Sequence, residues 1–138
     1  MENFPARAPR LIASDIDGTL LDRNHRVPRR NRDAVARAVQ QGAYFALSTG
    51  RPFRWIAPVL EQLPARPVCV TSNGAVLYDS AEDRVMSAHE LSPAALAEVV
   101  DVAQTVLGTV GFGAERAGGS LACLLYTSDA ADEEDSVD

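Results

Sequence analysis

Two carboxylates, Asp15 and Asp17, follow a short apolar run at residues 11–13. An apolar run of this length bounded by turn residues is typical of a buried strand. In open α/β sheets, ligands bind at the ends of such strands. Two like charges there repel each other and lose hydration, so a cation or a proton must offset the cost. A hard divalent cation with oxygen ligands fits this pattern, and it is usually magnesium when a phosphate is also bound.

The same residues allow a simpler interpretation, because Asp and Gly are ordinary turn residues. The D-x-D-G string taken alone is therefore equally consistent with a turn that binds nothing. An EF-hand calcium loop also begins in this way, but it needs an acid or amide at its fifth position, Gly at its sixth and Glu at its twelfth. This chain has Thr19, Leu20 and Arg26 at those positions, which excludes a calcium loop.

Two further apolar runs end in polar, glycine-containing segments. Residues 44–47 lead into Ser-Thr-Gly-Arg-Pro at 48–52, and residues 68–70 lead into Thr-Ser-Asn-Gly-Ala at 71–75. Pro52 suits the first position of a helix predicted over 52–63, in which Pro58 is a candidate kink. A hydroxyl beside free N–H groups at a helix N-terminus can hold a phosphate. A serine or threonine N-cap without any ligand explains the segment equally well.

The elements that must position these residues are three successive strand–helix units. With a helix predicted over 28–41, the pattern predicts an α/β fold with parallel strands and right-handed crossovers. All three strand ends then lie on one edge of the sheet, which would carry Asp15, Asp17, Thr49, Gly50, Asn73 and Gly74.

The rest of the chain predicts a hairpin and a further helix. Residues 76–79 and 84–87 flank an acidic turn and indicate two antiparallel strands. Ser92 as N-cap, followed by Pro93, predicts a helix that ends at Gly108. A strand is predicted over residues 109–112.

Beyond these physical signals, the string D-I-D-G-T-L-L at residues 15–21 resembles the first motif of the haloacid dehalogenase (HAD) superfamily, whose members are mostly phosphatases. S-T-G-R at 48–51 resembles the second motif of that family. S-N-G-A at 72–75 resembles its Cof-type branch. The resemblance extends over roughly residues 10–110.

The resemblance implies a role for each matching residue. Asp15 would be the nucleophile that forms an aspartyl-phosphate, and Asp17 would be the general acid and base. Both would be ligands of Mg²⁺, which screens the nucleophile from an anionic substrate. Thr49 and Gly50 would hold the phosphoryl oxygens. The remaining two candidates near the substrate, on weaker grounds, are Arg51 and Asn73.

The resemblance also implies a domain organisation. Residues 1–87 would form the N-terminal part of a Rossmann-like core with an incomplete parallel sheet, and 88–122 would begin an inserted α/β cap of type IIB. Residues 123–138 resemble a translated sequencing adapter, so we expect them to be read-through from a truncated fragment of a longer gene. The family's third motif, usually a lysine, and its acidic fourth motif follow the cap. This chain contains no lysine.

Composition limits the partners that we expect. The chain has 138 residues, 46% hydrophobic and 23% charged, which are globular values. It shows no apolar run of membrane-spanning length and no signal peptide, which predicts a cytoplasmic protein without a membrane partner. The arginines at 26–37 lack accompanying aromatic residues, so we expect a solvated helix face rather than a nucleic-acid site. Cys69, in an apolar run, is predicted to be a buried structural thiol, and His89 an ordinary surface residue.

Together these observations predict a magnesium-dependent phosphomonoester hydrolase of the Cof-type HAD branch. Its substrate would be a small phosphorylated metabolite such as a sugar phosphate. The present chain, lacking the third and fourth motifs, is expected to be inactive. Two alternatives stay open: a phosphomannomutase-like phosphotransferase on the same fold, and a phosphate-binding module without catalysis.

Overall fold

The computed structural model describes residues 9–113 and 115–118. Within these residues the chain forms one five-stranded sheet with the order β1-β2-β3-β4-β5. The strands are β1 (Leu11–Ser14), β2 (Tyr44–Ser48), β3 (Val68–Thr71), β4 (Val76–Asp79) and β5 (Arg84–Ala88).

The first three strands run parallel, as predicted. Ala13 of β1 is paired with Ala46 of β2, and Leu47 of β2 is paired with Cys69 of β3. The hairpin is also confirmed, with β4 antiparallel to both β3 and β5. The carboxyl ends of β1, β2 and β3 therefore share one edge of the sheet, and the α/β fold class is correct.

Three helices accompany the sheet: α1 (Arg29–Gln40), α2 (Ala57–Leu60) and α3 (Pro93–Leu107). The helix predicted over 52–63 is shorter and less regular than expected, and the break lies near Pro58, the predicted kink. A 3₁₀ turn at Phe53–Ile56 leads into the four residues of α2. Pro58 lies in the first turn of α2, where it has no N–H to donate back to the preceding turn, so the helical segment restarts there.

The start of α3 agrees with the sequence signal, whereas the element predicted after it does not form. The Ser92 side chain accepts a hydrogen bond from the Ala95 amide at 3.2 Å, which is the predicted N-cap. Residues 109–112 are not a strand. Gly111 lies within this segment, Gly108 and Gly113 flank it, and glycine is unfavourable within strands.

The hydrophobic core lies on one face of the sheet. Alternate residues of the central strands point into it, among them Leu47, Cys69 and Tyr78, each at most 1% exposed. The residues of the central strands that point to the opposite face are half-buried or exposed. Leu11 and Tyr44, which are paired across β1 and β2, are 59% and 74% exposed. One face of the sheet is thus covered by the core, whereas the described residues cover the other face only in part.

Cys69 lies in this core, and its predicted role as a buried structural thiol is confirmed. Its side chain is fully buried, and its sulfur lies 3.4 Å from the Pro67 carbonyl oxygen. Burial raises the pKa of the thiol to about 12, with a further contribution from the charge of Asp79. The second cysteine, Cys123, lies outside the described residues.

The raised pKa predicts that Cys69 resists thiol reagents in the folded protein, because the thiolate is the reactive form. In a Cys123→Ser variant, Cys69 is the remaining thiol. We expect almost no reaction with an aromatic disulfide reagent near pH 8.5, the ordinary thiol pKa, and rapid reaction once urea unfolds the chain. Absorbance of the released aromatic thiol measures both rates. Rapid labelling in native buffer would contradict the buried position.

No helix in the described part of the chain has the length and apolar character needed to cross a bilayer. His89 is exposed, as predicted for a surface histidine. The proposed boundary between core and cap at residue 88 stays a prediction. The segment 123–138, expected to be read-through, lies outside the described residues.

Candidate active site

The loops that follow β2 and β3 are tied together by backbone hydrogen bonds. The Asn73 amide donates to the Thr49 carbonyl at 3.2 Å, and the Ser72 amide donates to the Arg51 carbonyl at 2.8 Å. At the end of β2, the Thr49 amide donates to the Val70 carbonyl at 2.9 Å. These bonds hold Thr49, Gly50 and Arg51 beside Asn73, so the structure brings these predicted residues to one edge.

The loop that follows β1 presents its carboxylates to solvent and buries the residue between them. Ile16 is fully buried, whereas Asp15 and Asp17 on either side are exposed. Gly18 adopts a positive φ of 74°, which lets the chain turn back, and the Leu21 amide then donates to the Ile16 carbonyl at 3.0 Å. The buried isoleucine thus fixes the direction in which both carboxylates point.

The two carboxylates have different partners. Asp15 Oδ2 accepts a hydrogen bond from the Thr19 hydroxyl at 3.1 Å. Asp17 is held by Arg51, whose Nε lies 2.6 Å from Oδ2 and whose Nη2 lies 2.5 Å from Oδ1. Both oxygens of Asp17 are therefore occupied by one guanidinium.

This ion pair shifts the acidity of both groups. The hydrogen bonds from Arg51 lower the pKa of Asp17, and the same bonds raise the pKa of Arg51. Desolvation acts in the opposite direction on each pKa and is the smaller effect. In this arrangement Asp17 is ionised at neutral pH, so it can accept a proton but cannot donate one.

The predicted phosphate segment after β2 is a loop rather than a helix start. The 3₁₀ turn begins at Phe53 and lasts four residues before α2, so the predicted helix N-terminus is irregular, and its phosphate-binding role stays a prediction. The loop still offers donors. Among the described residues no acceptor engages the Gly50 amide. Thr49 Oγ1 accepts from the Arg51 amide at 3.1 Å, which leaves its own hydrogen available for donation.

Gly50 and Asn73 are in close contact. A Cβ atom at position 50 would lie 2.9 Å from the Asn73 Oδ1 atom, closer than such atoms normally approach. Asn73 itself adopts a left-handed backbone with φ of 55°, which asparagine tolerates better than most residues. Gly50 is therefore needed for space, and the S-T-G-R and S-N-G-A segments meet at this contact.

A family model described as haloacid dehalogenase-like hydrolase matches residues 12–115. The chain belongs to this family.

Curated phosphatases resemble about half of the chain. Phosphatase YwpJ of Bacillus subtilis is 37% identical over 70 residues, which are 51% of this chain and 25% of that protein. The 5-amino-6-(5-phospho-D-ribitylamino)uracil phosphatase YcsE of B. subtilis is 37% identical over 71 residues, which are 51% of this chain and 28% of that protein. The chain thus spans about a quarter of the length of these relatives.

Solved structures of HAD-like proteins share the fold. A haloacid dehalogenase-like hydrolase from B. subtilis superposes with a TM-score of 0.63 at 29% identity, covering 70% of this chain and 34% of that structure. The α/β core predicted from the first and second motifs is therefore confirmed as an HAD-like core.

In this HAD-like chain, the partner of Asp17 is the feature that sequence reasoning missed. Arg51 was predicted only as a substrate contact, yet its side chain lies on the proposed acid and base. A signal was present, because Arg51 is the cation nearest to Thr49 and Gly50 in the sequence and so must lie at the same strand edge. The direction of its side chain could not be read from that placement.

The site offers oxygen atoms that are suitable ligands for magnesium. Mg²⁺ is usually bound by one or two carboxylates, with water and substrate phosphates completing its shell. Asp15 fits this requirement, since it is exposed and no described residue hydrogen-bonds to its Oδ1. Asp17 could contribute its side chain only after the Arg51 pair opens. No group of three potential metal-binding side chains occurs among the described residues.

The contact between Gly50 and Asn73 gives a stability prediction that does not depend on any ligand. Gly50→Ala is expected to lower the free energy of unfolding by about 1–2 kcal/mol, because the Asn73 side chain must move away. Asn73→Gly removes that side chain and keeps the left-handed backbone, so the double variant should recover most of the loss. Urea unfolding of all four proteins gives the coupling energy. Additive effects would contradict the contact.

Proposed function

We propose that this chain carries the nucleophile and phosphate-binding part of a magnesium-dependent phosphomonoester hydrolase. One observation carries the proposal: the exposed carboxylate of Asp15 shares a strand edge with the unengaged amide of Gly50 and the hydroxyl of Thr49. A nucleophile beside donors for an oxyanion is the arrangement that phosphoryl transfer requires. Family membership and the phosphatase names of the relatives support it.

The proposed reaction has two displacements. An Asp15 oxygen attacks phosphorus, and the bond between phosphorus and the ester oxygen breaks. Asp17, once released from Arg51 and protonated by solvent, delivers that proton to the departing alcohol. Water then attacks the aspartyl-phosphate, Asp17 takes a proton from that water, and free phosphate leaves. Mg²⁺ held by Asp15 would lower the repulsion between the carboxylate and the anionic substrate.

Thr49 and Gly50 would bind the phosphoryl oxygens during both displacements. The Arg51 amide fixes the Thr49 oxygen, so the hydroxyl hydrogen is directed away from it. Together with the Gly50 N–H this gives two donors on one loop. Asn73, in contact with Gly50, would hold that loop in position and lie near the substrate.

We propose a sugar phosphate or a similar small phosphorylated metabolite as substrate, in the cytoplasm. The name of the relative YcsE contains a phosphorylated ribityl group, which supports a polyhydroxylated phosphate ester. The family's later motifs, including its lysine, are not found in this chain, so we expect the 138-residue chain alone not to complete the cycle.

The test is a phosphate-release assay on the product of the natural gene that encodes residues 9–118, using a panel of sugar phosphates with and without Mg²⁺. We expect free phosphate only with the metal. An isomeric sugar phosphate formed without free phosphate would instead identify a mutase. Binding of phosphate without any turnover would favour the non-catalytic module.

A further inference from the structure

We infer that Arg51 is an exchangeable ligand, which holds the Asp17 carboxylate before substrate binds and moves to a phosphoryl oxygen when it does. The inference rests on the proposed function and adds a substrate-binding role and a positioning role for one residue. The guanidinium lies on the Asp17 carboxylate and starts from the loop that would hold the phosphoryl group, so it could bind either one.

The backbone of Arg51 is fixed at the phosphate-binding loop. Its amide donates to Thr49 Oγ1 at 3.1 Å, and its carbonyl accepts from the Ser72 amide at 2.8 Å. Arg51 directly follows Gly50, so its side chain starts from the loop that would hold the phosphoryl oxygens. The side chain can therefore reach that region by rotation alone, without a movement of the loop.

The ion pair with Asp17 is suited to exchange. The Asp17 side chain is 50% exposed and that of Arg51 is 23% exposed, so water screens the pair and can hydrate the released carboxylate. A third contact, from Arg51 Nη1 to the Trp55 carbonyl, is long at 3.3 Å. The pair with Asp17 is therefore the main interaction that a competing oxyanion has to replace.

A phosphate can replace the Asp17 carboxylate as the partner of the Arg51 guanidinium. Arginine presents a planar fork of donors that binds two oxygens of a carboxylate or of a phosphate equally well. A phosphomonoester carries more negative charge than a carboxylate, which favours the exchange. The neighbouring cation Arg54 is directed elsewhere, to Glu115 at 2.9 Å. Of these two neighbouring arginines, Arg51 is the one directed to this edge.

Exchange would couple substrate binding to the release of Asp17. As long as Arg51 occupies both carboxylate oxygens, Asp17 cannot approach a leaving group. Once the phosphate draws the guanidinium away, the carboxylate is free to turn toward the ester oxygen. The acid and base would then be available only when a phosphate ester is in place.

Nitrogen-15 NMR of the 138-residue chain tests this inference, with inorganic phosphate as the probe. We expect the Thr49 and Gly50 amide signals and the Arg51 Nε–H signal to shift together and to saturate at one dissociation constant. The Arg51 signal is assigned by its loss in Arg51→Lys. Amide shifts without any change at Arg51 Nε would overturn the inference alone. No shift at any of these groups would overturn both the inference and the phosphate site.

A double-mutant cycle separates exchange from a general effect of charge. It compares the wild-type chain, Asp17→Asn, Arg51→Gln and the double variant. Asp17→Asn frees Arg51, so phosphate should bind several-fold more tightly at low salt, and Arg51→Gln should bind it several-fold more weakly. In the Arg51→Gln background the Asp17→Asn gain should disappear. An equal gain in both backgrounds would show that only a negative charge had been removed, and would overturn the inference. Arg54→Gln is the matched control, with unchanged affinity expected.

Discussion

Asp15→Asn is expected to abolish phosphate release by the product of the natural gene that encodes residues 9–118. An amide has no anionic oxygen to attack phosphorus, so the covalent step is lost. Removing the nucleophile of a covalent mechanism typically lowers turnover by a factor on the order of 10³ or more. The measurement is steady-state phosphate release, together with acid trapping of phosphorylated protein from labelled substrate. Both signals should disappear.

The control for this variant is Asp33→Asn. Asp33 is an exposed acid in α1, paired with Arg29 at 3.6 Å and remote in sequence from the strand ends. Its replacement removes the same charge and should leave turnover unchanged. If Asp15→Asn retained near-normal turnover or trapped phosphoprotein, another residue would be the nucleophile and the proposed role of Asp15 would be wrong.

Ile16→Ala is expected to give the largest loss of stability of any single change in the active-site loop. Ile16 is fully buried between two exposed carboxylates, and its removal leaves a cavity at the end of β1. Truncation of a buried isoleucine to alanine typically costs about 2–5 kcal/mol. A small domain has only about 5–15 kcal/mol in total, so the transition in urea should move to much lower denaturant.

Leu11→Ala provides the matched comparison, because Leu11 lies on the same strand but is 59% exposed. Its truncation should change the free energy of unfolding by less than about 1 kcal/mol. Circular dichroism during urea unfolding measures both variants. Equal losses in the two variants would mean that Ile16 is not the anchor of the loop.

The strands and their shared edge could be predicted from the sequence because each one is an apolar run that ends in turn residues. Burial of one sheet face and the short connections then permit few arrangements. The helix over 52–63 is less regular than predicted and the strand over 109–112 does not form, for a related reason. In both, apolar residues suggested a regular element, whereas Pro58 in one and Gly111 in the other interrupt it.

The pairing of Asp17 with Arg51 could not be predicted, because it joins residues 34 positions apart through the rotamer of a long side chain.

Helix α3 shows a different limit of prediction from sequence. Its apolar period and serine cap predicted its extent, yet Val99, Val102 and Val106 are all more than half exposed. Periodicity indicates which face of a helix can be buried, but it does not supply the surface that covers that face.

The order of the sheet has a consequence for how the protein is made. Every strand lies beside its immediate neighbour along the chain, from β1 through β5. The antiparallel pairings of β3, β4 and β5 join nearby residues and form quickly, whereas the parallel pairings of β1 with β2 and of β2 with β3 must first close long connections. During synthesis the N-terminal residues emerge first, so the sheet and the candidate site at its edge can assemble while the ribosome is still translating residues beyond β5. Until those residues or a chaperone cover it, the apolar face that carries Leu11 and Tyr44 would be the aggregation-prone surface of the nascent chain.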